Sequence, residues 1–153
     1  MEFSYLIDGL MKALGCEERR PADAGVVRLG VGDAAIDIME IHETQELLVT
    51  CRLGVIPHAG ADRLREAMLR ANFAGRATAR GTLSQSEDGG IHLQRFLSMP
   101  LLDVDGLMNA LDAFVAVAVE WAENIARCDA GETVEPQSEP PVEVGLEPDA
   151  VLV

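Results

Sequence analysis

Three histidines and three cysteines are the residues of this sequence best suited to metal binding or nucleophilic chemistry. His42, His58 and His92 fall in separate segments, without the H-x-x-x-H spacing that sets two imidazoles on one helical face. Cys16, Cys51 and Cys128 are far apart, odd in number and free of any C-x-x-C pair. They predict neither a disulfide framework nor a zinc site, but buried free thiols in a reducing cytosol. Cys51 and His92 fall on strands that can be neighbours, so a Cys–His pair is open. Such a pair needs an oxyanion hole and an orienting group, and no residue marks either. Gly30-Val31-Gly32-Asp33-Ala34-Ala35 fits G-x-G-x-x-A, a fingerprint that requires a helix to open there and present N–H groups to a pyrophosphate. The residues that follow, Ile36-Asp37-Ile38, read as strand, so a hairpin turn is the expectation. Asp103-Val104-Asp105-Gly106 begins like a calcium loop but lacks the later ligands and the terminal Glu, and reads as a helix cap. These spacings predict no enzyme, no metal and no cofactor.

The elements that would position such groups belong to a small acidic domain. Asp and Glu total 26 against 12 Lys and Arg, a net charge of −14. That surface repels phosphate backbones and anionic lipid, so nucleic acid and membrane are poor partners. No apolar run approaches the roughly 20 residues of a membrane helix. The N-terminus, with Glu2, Asp8 and only Lys12 as a base, does not read as a secretory signal. The expectation is a soluble cytosolic protein. Apolar residues make up 48% but aromatics only 4%, so the core must be aliphatic. Residues 129–153 carry Asp129, Glu132, Glu135, Glu139, Glu143, Glu147 and Asp149 among four prolines and no base. This composition predicts a disordered acidic tail at 129–153 behind a folded domain at 1–128.

Periodicity gives the order of elements. Phe3, Leu6, Ile7, Leu10, Met11 and Leu14 form one helical stripe over Glu2 to Leu14, and Gly15 suits its C-terminal cap. Val26 to Val31, Ala35 to His42 and Leu47 to Val55 alternate as strands of an antiparallel meander, turning at Gly32-Asp33 and Glu43-Thr44-Gln45. Asp62 to Asn72 reads as a second helix. Arg76 to Ser84 and Ile91 to Met99 read as strands joined across Glu87-Asp88-Gly89-Gly90. After the Asp103 cap a long helix carries Leu107, Met108, Leu111, Phe114, Val115, Ala118, Trp121, Ala122 and Ile125 on one stripe. The fold class is α+β, an antiparallel sheet with helices in the order α-β-β-β-α-β-β-α.

Within that order, Leu53-Gly54-Val55-Ile56-Pro57, Leu69-Arg70-Ala71-Asn72-Phe73 and Met99-Pro100-Leu101-Leu102-Asp103 resemble the class I type III secretion chaperones, the Tir-chaperone family. The likeness spans roughly residues 2–127 and includes the final amphipathic helix with Trp121 near its end. The stretch Cys16-Glu17-Glu18-Arg19-Arg20-Pro21 departs from the family, which commonly has an apolar residue before the proline. The resemblance implies a homodimer that holds the N-terminal chaperone-binding segment of a secreted effector in extended form, soluble and secretion-competent, for the secretion ATPase. It places the dimer contact around Leu64, Met68, Leu69, Phe73, Arg80 and Thr82.

Residue pattern suggests the effector surface. Phe3, Ile7 and Met11 flank a groove if Leu6, Leu10 and Leu14 face the sheet; the alternative is that all six lie in the core. Phe96 stands among His92, Gln94 and Ser98 on the polar face of its strand. Met39, Ile41 and Leu48 are apolar outliers on the less apolar faces of theirs. A regulatory or sensory protein-binding module of the same fold is the alternative function, and a small enzyme the second alternative.

Overall fold

The computed structural model describes residues 2–16 and 25–131. The helix α1 spans Phe3–Ala13, followed by the strands β1 (Val26–Val31), β2 (Ala34–Ile41) and β3 (Glu46–Val55). Then come α2 (Ala61–Asn72), the short strand β4 (Thr82–Gln85), β5 (Gly90–Ser98) and α3 (Val104–Asp129). The expected α+β order is present. All strands pair antiparallel in one five-stranded sheet, in the order β1-β2-β3-β5-β4.

The period-2 alternation decides the two faces of this sheet. Val27, Ile36, Ile38, Leu47, Val49, Cys51, Leu53, Leu83, Ile91, Leu93 and Leu97 enter one core with the buried stripes of the helices. Asp103 caps α3 through its carboxylate, which accepts from the Gly106 amide at 2.7 Å. Phe114, Trp121 and Ile125 carry the α3 stripe into that core. Helix α1 crosses the first turn of α3 closely: a Cβ on Gly9 would stand 2.4 Å from Val104 Cγ2.

Two expectations are corrected. Arg76 to Ser84 is not one strand. A 3-10 turn occupies Phe73–Thr78, and β4 begins only at Thr82. Ala74, Ala79 and Arg80 all adopt positive φ, which no strand accommodates. Gly81 passes so near β5 that a Cβ would lie 2.8 Å from the Gln94 carbonyl oxygen. Helix α3 ends at Asp129, beside the expected boundary at 128. The acidic tail lies, from residue 132, outside the described residues. Finally, Cys51 and Cys128 are buried as expected, but Cys16 is only half-buried.

Candidate functional site

The catalytic possibilities dissolve on the sheet. Cys51 pairs with Leu93 across β3 and β5, whereas His92 pairs with Arg52. Adjacent residues of a strand point to opposite faces, so the Cys51 thiol enters the core and the His92 ring lies on the other side. Burial, and then the charge of Asp37, pushes the Cys51 thiol up, away from the reactive thiolate. Gly32-Asp33 is the two-residue turn of the β1–β2 hairpin, with Gly32 at φ 58°, and no helix opens there. Among the described residues no group of His, Cys, Asp and Glu could hold a metal ion.

A polar cluster at the β4–β5 hairpin brings a serine and a histidine together. Ser86 Oγ lies 2.5 Å from Asp88 Oδ1, 3.1 Å from the Gly90 carbonyl and 3.3 Å from His92 Nε2. The carboxylate therefore holds the serine instead of orienting the histidine, the reverse of what a nucleophilic triad needs. Asp88 also accepts from the Gly90 amide at 3.0 Å and pairs with Arg52 at 3.1 Å. The Ser86 hydroxyl, with the Gly90 amide, lowers the Asp88 carboxyl to about 2. The cluster locks a turn.

The face of the sheet away from the core carries a different feature. The registers place Val26 opposite Met39, Met39 opposite Leu48, and Leu48 opposite Phe96. Four apolar side chains thus form one row across four adjacent strands. Phe96 is 55% exposed, Val26 is exposed, and Met39 and Leu48 are half-buried. The neighbouring row is polar: Arg28, Asp37, Thr50, Gln94 and Thr82 follow one another across the whole sheet. Arg28 donates to both carboxylate oxygens of Asp37, at 2.6 and 2.8 Å, and holds that carboxyl below its ordinary range. Ile41, opposite Glu46, flanks the apolar row on its other side.

The row begins at an open edge. The Glu40 amide donates to the Gly25 carbonyl at 3.0 Å, so the alternate positions Val27, Leu29 and Val31 exchange hydrogen bonds with β2. The N–H and C=O groups of Val26, Arg28 and Gly30 therefore point away from the sheet. Among the described residues nothing pairs with them. The opposite edge is closed. Asn72, at the end of α2, accepts from the Leu83 amide at 2.8 Å and donates to the Leu83 carbonyl at 3.0 Å, doing for β4 what a neighbouring strand would do.

The candidate residues divide accordingly. Met39, Leu48 and Phe96 come together in the row, with Ile41 beside it. Phe3 and Met11 are half-buried at the margin of the core. Ile7, at 2% exposure, is a core residue with Leu6 and Leu10, in line with the core alternative for this stripe. Leu14 is exposed instead of facing the sheet. Of the dimer candidates, Leu64 and Met68 are buried in the chain's own core. Leu69 and Phe73 are 73% and 83% exposed, and Arg80 and Thr82 are exposed beside them in sequence. Arg95, which lies next to Arg80, is pushed below the usual arginine range by burial and then by the Arg80 charge. Among the described residues no carboxylate forms an ion pair with either arginine. Val26 was missed by sequence reasoning, since nothing in a single strand shows that it starts a row.

Comparison with known proteins bears on the family and the fold. Residues 5–122 match the model of the Tir chaperone protein (CesT) family. A search of curated proteins finds no match. Among solved structures, the complex of the Yersinia pestis type III secretion chaperone SycH with a stable fragment of YscM2 is similar, with TM-score 0.63 and 22% identity over 78% of this chain and 98% of that one. The ExoT–SpcS complex of Pseudomonas aeruginosa matches at 27% identity and TM-score 0.57, over 77% of this chain and 95% of that one. The heterodimeric ExoU–SpcU complex of the Pseudomonas aeruginosa type III secretion system matches at 19% identity and TM-score 0.61, over 79% of this chain and 95% of that one.

Proposed function

This chain belongs to the Tir chaperone protein (CesT) family, a type III secretion chaperone and not an enzyme, and we infer that it receives a secreted effector as an extended segment along the free edge of β1. The observation that carries this reading is the continuity of that edge with the row Val26, Met39, Leu48 and Phe96. An extended segment supplies its backbone groups to Val26, Arg28 and Gly30 and sets one apolar side chain beside Val26, at the end of the row. The segment needs no packed core of its own. Each ordered residue loses roughly 1–2 kcal/mol of conformational entropy, and covered apolar area returns roughly 25 cal/mol per Å². A long wrapped segment therefore binds while remaining unfolded enough to be threaded.

The working form is a homodimer in the bacterial cytoplasm. Leu69 and Phe73 offer apolar surface that no part of the described chain covers, and Arg80 and Thr82 follow in the adjoining segment. No helix among the described residues is long and apolar enough to cross a membrane. The test is co-expression with secreted proteins encoded near the gene, followed by limited proteolysis of whatever co-purifies. A soluble complex should form in which the chaperone shields an N-terminal segment that is cleaved at many sites when free. Recovery of a fully folded partner, with no protected segment, would favour a regulatory protein-binding module and overturn this reading.

A further inference from the structure

We propose that Glu66 of one protomer is held by Arg80 and Arg95 of a second copy of this chain, so that the arginine pair is completed only in the dimer. Asp62, Glu66, Leu69 and Phe73 recur at helical spacing along α2 and its first following residue, on the side opposite the buried Leu64, Ala67, Met68 and Ala71. All four are exposed. The stripe runs from acidic to apolar, and just past Phe73 it becomes basic. The Arg80 amide donates to the Gly75 carbonyl at 2.8 Å, and a Cβ on Gly75 would lie 3.1 Å from the Arg80 Cα. Arg80 is thereby folded back beside Gly75, close to the end of the stripe.

A strained turn presents Arg80. Ala79 and Arg80 are consecutive non-glycine residues at φ 49° and 62°, a left-handed conformation that their Cβ atoms disfavour. The hydroxyl of the buried Thr78 donates to the Gly81 carbonyl at 2.7 Å, and the Gly81 amide donates to the Thr78 carbonyl at 2.7 Å, which fastens the turn. The turn brings Arg80 to the half-buried Arg95, and among the described residues no carboxylate forms an ion pair with either. Two like charges held together in this way favour an anion supplied from outside. In a two-fold contact each copy receives what it offers. Two α2 helices antiparallel about the axis, with Leu69 on the partner's Phe73, set Ala67 on the partner's Gly75. Glu66 is then one position away, against the partner's Arg80. Within its own chain Glu66 accepts from Arg70 at Oε1, which leaves Oε2 for the partner's guanidinium.

This proposal rests on the reading that Leu69 and Phe73 form the dimer contact, and its test separates the two. Glu66→Arg and Arg80→Glu are made separately in the full chain, with circular dichroism as the check on folding. Sedimentation equilibrium measures each variant alone and the two in equimolar mixture. Alone, each variant sets like charges together at both contacts and should self-associate about tenfold or more weakly than the unmodified chain. The mixed dimer restores opposite charges at both contacts and should return to within about threefold of the unmodified dimer. Variants that each dimerise as tightly as the unmodified chain overturn the proposal and leave the dimer standing. A mixture no tighter than its components has the same meaning. An unmodified chain that is monomeric at every concentration overturns the dimer reading, and the ion pairs with it. Should a reversal disturb the fold, Glu66→Gln and Arg80→Gln take its place. Each should weaken association about threefold or more, and the double variant no further than the weaker single. Fully additive losses would show that the two side chains do not meet.

Discussion

Replacing Phe73 with Ser tests the dimer surface directly. Its ring is 83% exposed in the single chain, so the monomer gains little from it. Fully burying a phenylalanine contributes roughly 1.5–3 kcal/mol, and a two-fold contact buries the ring twice. Scaled by the exposed fraction, losing both rings costs the association about 2.5–5 kcal/mol. The dimer dissociation constant should rise roughly sixty- to four-thousand-fold. Sedimentation equilibrium from nanomolar to high micromolar concentration measures it, with far-ultraviolet circular dichroism as the check on folding. The exposed position predicts an unchanged spectrum and an intrinsic monomer stability within about 0.5 kcal/mol of the original. Identical association constants for Phe73→Ser and the unmodified chain would refute the reasoning, as would a monomer at every concentration before any substitution is made.

Two substitutions to Asp should separate surface from core. Phe96→Asp should fold normally and weaken binding of the effector segment by about tenfold or more in titration calorimetry, whereas Ile7→Asp should be insoluble or unfold at much lower urea, because it buries an unpaired carboxylate. Asn72→Ala removes both hydrogen bonds to Leu83 and should cost about 1–3 kcal/mol, with faster amide exchange at Leu83; an unchanged rate there would show that the β4 edge is closed in some other way. Asp88 has a folded pKa lowered from 3.8 to about 2, so the stability it contributes is complete above the unfolded pKa and is lost as pH falls through that interval. Asp88→Asn should flatten the acid limb of the urea-denaturation profile between those two values; a limb of unchanged slope would mean the hairpin cluster does not contribute to it.

The sequence alone determined the elements whose burial is periodic. The α1 stripe, the alternation of the meander, the Gly32-Asp33 turn, the Asp103 cap and the α3 stripe all express which local face is apolar, and that information is written along the chain. It also marked Met39, Leu48 and Phe96 as misfits on their own strands. Only the tertiary structure decided what the misfits amount to. Cross-strand register joins them to Val26 in one row, and register depends on pairing between segments distant in sequence. Strand order decided that β1 is an open edge, while a side chain from α2, Asn72, closes β4. The burial of Ile7 was equally beyond a one-helix reading, since the width of a buried stripe depends on how many neighbours cover it. Between Phe73 and Gly81, positive φ at Ala74, Ala79 and Arg80 overrides a strand-like composition. Local hydrogen bonds, from the Arg80 amide to the Gly75 carbonyl and from the Gly81 amide to the Thr78 carbonyl, hold that conformation, and Gly81 passes so close to the backbone of β5, which the chain reaches later, that no side chain fits there.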